Sequence, residues 1–216
     1  MALDPRGMSP QDTYRLMTGI VVPRPIAWVT SLSAAGVLNL APFSAFTFLS
    51  MKPVLLGINI GRKAGLRKDT ANNIERSGEY VVHIGDGAQV QAIHESSAEH
   101  APDVSEADLL ELPTLSGEQV RVRRLKDAPI AMECRLEQVI PFGRTGSEFF
   151  VGEVIAIHLR DGLMKNGTIE STALNPVCRL AGPNYATLGE IVTLRSIARA
   201  PKSILKTHPP THEETP

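Results

Sequence analysis

The chain has 216 residues, 43% hydrophobic and 21% charged, and its net charge of −1 makes no electrostatic case for nucleic acid or an anionic membrane surface. No apolar run approaches the roughly 20 residues that span a bilayer, and Met1-Ala2-Leu3-Asp4-Pro5-Arg6 forms no apolar signal core, so a cytoplasmic location is expected. Two distant cysteines, Cys134 and Cys178, have neither metal nor redox spacing and fit reduced thiols, Cys134 as a small buried hydrophobe.

Ser9-Pro10-Gln11-Asp12 reads as a helix start: a Ser cap, Pro in the first turn, an acid behind it. That helix is expected to run to about Thr18, before Gly19, and to pack on a sheet. Ile26 to Thr30 is an apolar, partly β-branched strand. Ser33-Ala34-Ala35-Gly36 is a turn, and a returning strand starts at Val37. Ala45 to Ser50 and Val54 to Ile60 are further strands, parted by Lys52-Pro53. Arg67 to Ser77 reads as a helix capped by Asp69 and ended by Gly78.

Glu79 to Ile84 is a strand and Gln89 to Ser97 a short helix. Residues 98 to 120 are acidic and irregular, with a helical turn at 105 to 110. Pro129 to Ile140 and Phe149 to Leu159 are long strands. About eight strands interrupted by short helices, rather than alternating with them, predict a mainly β fold with helical insertions, a barrel or sandwich. One domain over 1–200 is expected, with a flexible tail over 201–216, rich in Pro, Thr, His and Glu.

Two segments carry chemistry. Arg24 to Ser31 feeds into Asn39-Leu-Ala-Pro-Phe-Ser-Ala-Phe46, a run dense in small polar residues beside aromatics. Its backbone suits the polar edge of a flat ligand, and it equally suits a tight crossover in a barrel. Arg67-Lys68-Asp69-Thr70 puts two cations before a helix N-terminus, which suits a phosphate and equally a solvated basic turn.

Taken together, Arg24-Pro-Ile-Ala-Trp-Val-Thr-Ser, Asn39-Leu-Ala-Pro-Phe-Ser, Lys68-Asp-Thr with Asn73-Ile, and Gly78-Glu-Tyr-Val-Val resemble the flavin reductase-like family. Ser96-Ser97, Leu112-Pro113, Met132-Glu-Cys, Val151-Gly-Glu-Val and Arg179-Leu-Ala-Gly with Tyr185 follow in order, so the resemblance covers roughly residues 10 to 190. It implies an FMN-binding split β-barrel that forms a homodimer, with the flavin near the subunit interface. Carried over by motif, Thr30, Ser31 and Leu32 would line the flavin or its ribityl chain. Ser44, Ala45 and Phe46 would run along the ring edge. Ile60, Gly61 and Arg62 would sit near the phosphate, and Lys68, Asp69 and Thr70 would close on it. Arg24, or Arg179 with Tyr185, would hold an anionic substrate or the nicotinamide.

The resemblance implies a reductase that moves a hydride from NADH or NADPH through FMN to free flavin, serving a partner monooxygenase, or to a small electrophile such as a nitroaromatic acid. The flavin carries the chemistry, so no catalytic side chain is required. The alternative is a non-catalytic flavin-binding electron carrier. Two departures from the family pattern stand out. A Gly-Asp-His element common before the Val-Gly-Glu-Val strand reads Thr145-Gly146-Ser147 here, and His83 stands where Asn is usual. His83 is expected to be a satisfied core histidine and His158 to make a structural hydrogen bond. Gln91, His94 and Glu95 read as a polar helix face. None of the histidines has metal-site spacing, and no metal is expected.

Overall fold

The computed structural model describes residues 2–195. In chain order the elements are α1 (Pro10–Ile20), β1 (Arg24–Pro25), β2 (Ala27–Leu32), β3 (Leu38–Phe43), β4 (Phe46–Met51), β5 (Val54–Ile60), α2 (Asp69–Ser77), β6 (Glu79–Ile84), α3 (Val90–Glu95) and α4 (Glu106–Leu109). There follow β7 (Thr114–Leu115), β8 (Arg124–Leu125), β9 (Ile130–Phe142), β10 (Ser147–Leu159), β11 (Met164–Lys165), β12 (Thr168–Ile169), α5 (Ser171–Leu174), β13 (Cys178–Arg179) and β14 (Tyr185–Ala186). The expected tail, 201–216, lies outside the described residues. No described helix is long and apolar enough to cross a membrane.

Seven strands form one antiparallel sheet in the order β3-β2-β6-β9-β10-β5-β4. Its two edge strands, β3 and β4, are joined by only Ser44 and Ala45. Two residues reach so short a distance that the sheet has to curl until its edges meet. Its mainly β character with helical insertions is that of a split barrel, and Ser44-Ala45 sits on the seam.

Strands β2 and β6 are buried on both faces, which is why Ala27–Thr30 and Tyr80–Val82 read as apolar runs rather than as alternation. Trp28 packs with Leu38, Leu40, Val81, Ile93 and Val122 on one side. Ala27 and Val29 pack with Phe43, Ile58, Ile74, Tyr80 and Phe150 on the other. Each fully buried large side chain is worth about 1.5–3 kcal/mol. Gly152 in β10 is fixed by this packing, since a Cβ there would overlap the Tyr80 ring.

The helices refine two expectations. Helix α1 passes Gly19 and ends at Ile20, and it buries no residue, so it does not pack on the sheet as expected. Arg24 secures its end instead, with Nη1 donating to Thr18 O and Val21 O, both at 2.6 Å. Helix α2 is capped not by Asp69 but by Lys68, whose extended backbone (φ −72°, ψ 150°) puts its carbonyl under the amides of Ala71 and Asn72. Gly78 ends α2 at φ +70°, the left-handed conformation that glycine adopts without strain.

Two buried polar residues tie the barrel to its long loop. Glu133 on β9 is fully buried and accepts the amides of Glu118, Gln119 and Val120 at 2.6–3.0 Å, with His158 Nε2 at 2.6 Å. His83 is fully buried, as expected: Nε2 accepts the Leu125 amide and Nδ1 meets Trp28 O, both at 2.9 Å. Cys134 is buried, also as expected.

Candidate functional site

The seam of the barrel and the start of α2 meet. Asn39 on β3 donates to Thr70 Oγ1 at 2.9 Å, and Lys68 Nζ lies 5.3 Å from the Phe43 ring centroid at the end of β3. No side chain caps α2, so its first amides face outward with the positive end of the helix dipole. Lys68 stands beside them, half-buried, and makes no ion pair among the described residues. Burial, and then the neighbouring Lys63, pull its pKa below the ordinary lysine value. The other nearby cations are engaged: Arg67 with Glu148 at 2.8 Å and Glu75 at 2.5 Å, and Lys63 with Glu99 at 2.9 Å.

A partly desolvated cation that makes no ion pair among the described residues and is only partly offset by Glu99, at a helix start with no side-chain cap, has the chemistry of an anion cradle. The donor set fits the phosphate of a flavin mononucleotide. The exposed Ala45 on the adjoining corner leaves room for a flat ring edge.

The remaining residues implied by the resemblance divide by where their side chains go. Thr30 is buried with its hydroxyl donating to Arg123 O at 2.9 Å. Ser31 is buried beneath α2 and accepts from Asn73 at 3.2 Å. Ile60 is a core residue. These three support the cradle from behind and present no side chain to its surface. Leu32 accepts Arg76 Nη2 at its carbonyl, which ties the strand end to α2. Gly61 has open space where a side chain would stand. Arg62 is exposed, with its stem laid on Gly146 of the β9–β10 turn. Asp69 and Thr70 open α2, Thr70 with its hydroxyl held by Asn39. Phe46 begins β4 opposite Ile58.

Beside the corner a groove of about 520 Å3 runs between α1 and the β13–β14 ribbon. Its walls carry Arg15, Arg24 and Arg179, the rings of Tyr14 and Tyr185, and Ser44; no carboxylate lines it, although Arg15 pairs with Asp12 behind the wall at 3.7 Å. Sequence reading offered Arg24 and Arg179 as equivalent candidates, and the geometry separates them. The Arg24 guanidinium is spent on Thr18 O, Val21 O, Leu180 O and Ser44 Oγ, so it braces the groove. Arg179 lies 4.5 Å over the Tyr185 ring and donates to the Tyr185 hydroxyl and to Gly182 O. His94 Nδ1 lies 3.1 Å from the same hydroxyl.

His94 was missed as part of the site because 91 residues separate it from Tyr185. Of the expected polar face, only Gln91 and Glu95 bond to each other. Tyr14 and Arg15 on α1 join the groove without any signal in the sequence that singles them out.

A split antiparallel barrel with an anion cradle on its seam and a cationic groove alongside defines a class of cofactor-carrying protein. A family model for the flavin reductase like domain matches residues 17–173, and the chain belongs to that family. It is 42% identical over 193 residues to YwrF of Bacillus subtilis, covering 87% of this chain and 94% of that protein. The crystal structure of nitrilotriacetate monooxygenase component B from Bacillus cereus superposes with a TM-score of 0.87 at 41% identity, over 90% of this chain and 98% of that one. The 2-nitrobenzoate 2-nitroreductase of Pseudomonas fluorescens superposes with a TM-score of 0.84 at 31% identity, over 93% and 98%.

Proposed function

We propose that the protein is an FMN-dependent oxidoreductase that takes a hydride from NADH or NADPH and passes it to a small anionic electrophile, such as a nitroaromatic acid, or to free flavin for a partner monooxygenase. The observation that carries the reading is the unpaired, half-buried Lys68 at the uncapped start of α2, one strand end away from a groove with three arginines and no acid.

Lys68 and the first amides of α2 hold the phosphate by charge and hydrogen bonds. Asn39, Ser31 and Asn73 fix Thr70 and the helix from beneath. The Ser44-Ala45 corner reads the ring edge with its backbone. When bound, the flavin supplies two-electron transfer. Arg179 and Arg15 attract the acceptor's negative charge, and Tyr14 and Tyr185 give it flat walls. Phe48, Leu49, Met51 and Val54 leave large apolar surfaces exposed on the outer strand β4 and the start of β5. Covering them with a second copy supports a homodimer.

The electron-carrier reading rests on one observation: Ser147, where related reductases have an imidazole, is tied to Asn59 Oδ1 at 2.8 Å and offers nothing to a donor.

Anaerobic titration of the FMN-loaded protein tests the reading. Bleaching of the flavin by NADH or NADPH, followed by recolouring on addition of 2-nitrobenzoate or excess FMN, is expected. A flavin that neither nicotinamide bleaches would establish the carrier instead. A protein that takes up no FMN would end both readings.

A further inference from the structure

The mechanism above leaves one arrangement unused. The Tyr185 hydroxyl faces the groove between two partners, Arg179 Nη1 and His94 Nδ1. His94 is on the exposed side of α3 and meets the Tyr185 ring edge-on at a centroid distance of 5.7 Å. A phenolic oxygen can accept two hydrogen bonds and donate one. With Arg179 and the Nδ1–H tautomer of His94 both donating to it, the direction left for its own O–H is the groove.

Burial raises the Tyr185 pKa above the ordinary phenol value, and Arg179 pulls against that shift without cancelling it. The phenol therefore keeps its proton at neutral pH, while Arg179 stands ready to stabilise the phenolate once the proton has left. A purely structural tyrosine needs neither the guanidinium stacked on its face nor an imidazole in contact with solvent.

We propose that Tyr185 is the proton donor to the acceptor bound in the groove, and that His94 resupplies it from solvent. The role rests on the function proposed above. A bound reduced flavin would supply the hydride that ends on the nitro nitrogen of a nitroaromatic acid; the Tyr185 O–H bond breaks as a new O–H bond forms on a nitro oxygen, and the hydrogen on nitrogen later departs with the other oxygen-bound hydrogen as water. The N–O bond then cleaves and water leaves, so a nitro group has taken two electrons and two hydrogens to become a nitroso group and water. His94, doubly protonated from solvent, gives its Nδ1 proton to the phenolate and is left as the neutral ring, which a solvent acid protonates again. Tyr185 is a catalytic residue in this scheme, and His94 acts only through it.

Two measurements test it. In the first, prereduced, FMN-loaded protein is mixed with 2-nitrobenzoate under argon in water and in heavy water. Tyr185→Phe is expected to slow flavin reoxidation by about 100-fold and to abolish the solvent isotope effect. His94→Ala is expected to slow repeated turnover, with recovery on adding imidazole, which a structural loss would not show. Reoxidation of Tyr185→Phe at the wild-type rate, or failure of imidazole to rescue His94→Ala, would overturn the relay.

The second needs no flavin turnover: NMR titration of isotope-labelled tyrosine. Tyr185 is expected to titrate above an ordinary phenol and to move on His94→Ala. A resonance that titrates normally and ignores His94 would overturn the relay even if the flavin reading stands. The expected titration in a protein that binds no FMN would spare the relay geometry and remove the reading on which its role rests.

Discussion

The far end of the barrel and the start of α2 handle charge in opposite ways. At the far end two buried residues are matched: Glu133 takes three amides and His158, and His83 joins the Leu125 amide to Trp28 O. At α2 no side chain caps the helix, and Lys68 is half-buried with no ion pair among the described residues and only Glu99 to offset it. A matched buried group holds the loop it bonds. An unmatched one costs stability and is retained where a ligand completes it.

The contrast breaks most visibly at Glu133. Although burial alone would raise its pKa, the three amides and His158 hold it below the ordinary glutamate value. Glu133→Leu would orphan all of them, and a loss of about 3–5 kcal/mol is expected in denaturant unfolding. The same substitution should leave the proposed flavin-binding residues in place, so FMN affinity measured on the folded fraction should change little.

His83 gives the next effect. Burial pushes its pKa down to about 4 from 6.5, so the unfolded chain binds the extra proton first as pH falls. Its contribution is complete above pH 6.5 and is lost progressively down to about pH 4. That amounts to at most about 3 kcal/mol. Stability against pH for wild type and His83→Asn should diverge across this window and run parallel above it. Parallel curves throughout would remove His83 as the cause of acid sensitivity.

Lys68→Met should show the opposite signature. FMN affinity by fluorescence titration is expected to fall by about 2 kcal/mol, roughly 30-fold, with the loss of a charge-assisted contact. Stability of the flavin-free protein should hold or rise, because an uncompensated charge has gone. Because its pKa is lowered, Lys68 should lose its proton earlier on alkaline titration than an exposed lysine, and FMN affinity should fall with it. Loss of stability without loss of affinity would reverse the comparison. The smallest effect is expected at Gly146→Ala. There φ is +74° and the Arg62 stem must move, for about 1 kcal/mol in thermal unfolding.

Elements whose signals are local were legible in the sequence. Ser9-Pro10-Asp12 placed the start of α1, Gly36 the first turn, Gly78 the end of α2, and Val54–Ile60 its strand. The mainly β class followed from their order. What was not legible depends on long-range partners. Thr30 and Ser31 look like exposed polar residues of a strand end and are buried because α2 and the Arg123 loop cover them. Glu133 reads as a surface carboxylate because nothing in sequence announces the three amides that surround it. Asp69 looked like a cap, but the backbone is already helical at Asp69, so the extended Lys68 takes the cap position. Arg24 and Arg179 were indistinguishable until the carbonyls around each were known.

Arg24 joins the end of α1, the Leu180 carbonyl and the Ser44 hydroxyl in one node. The walls of the groove proposed to take an acceptor, α1 and the β13–β14 ribbon, hang from that node, while the proposed flavin cradle belongs to α2 and the barrel seam. Descendants of this chain can therefore exchange residues 14 and 15 and explore new acceptors while keeping Arg179, Tyr185 and the proposed cofactor cradle. The same node limits that freedom, because losing Arg24 would release both walls of the groove at once.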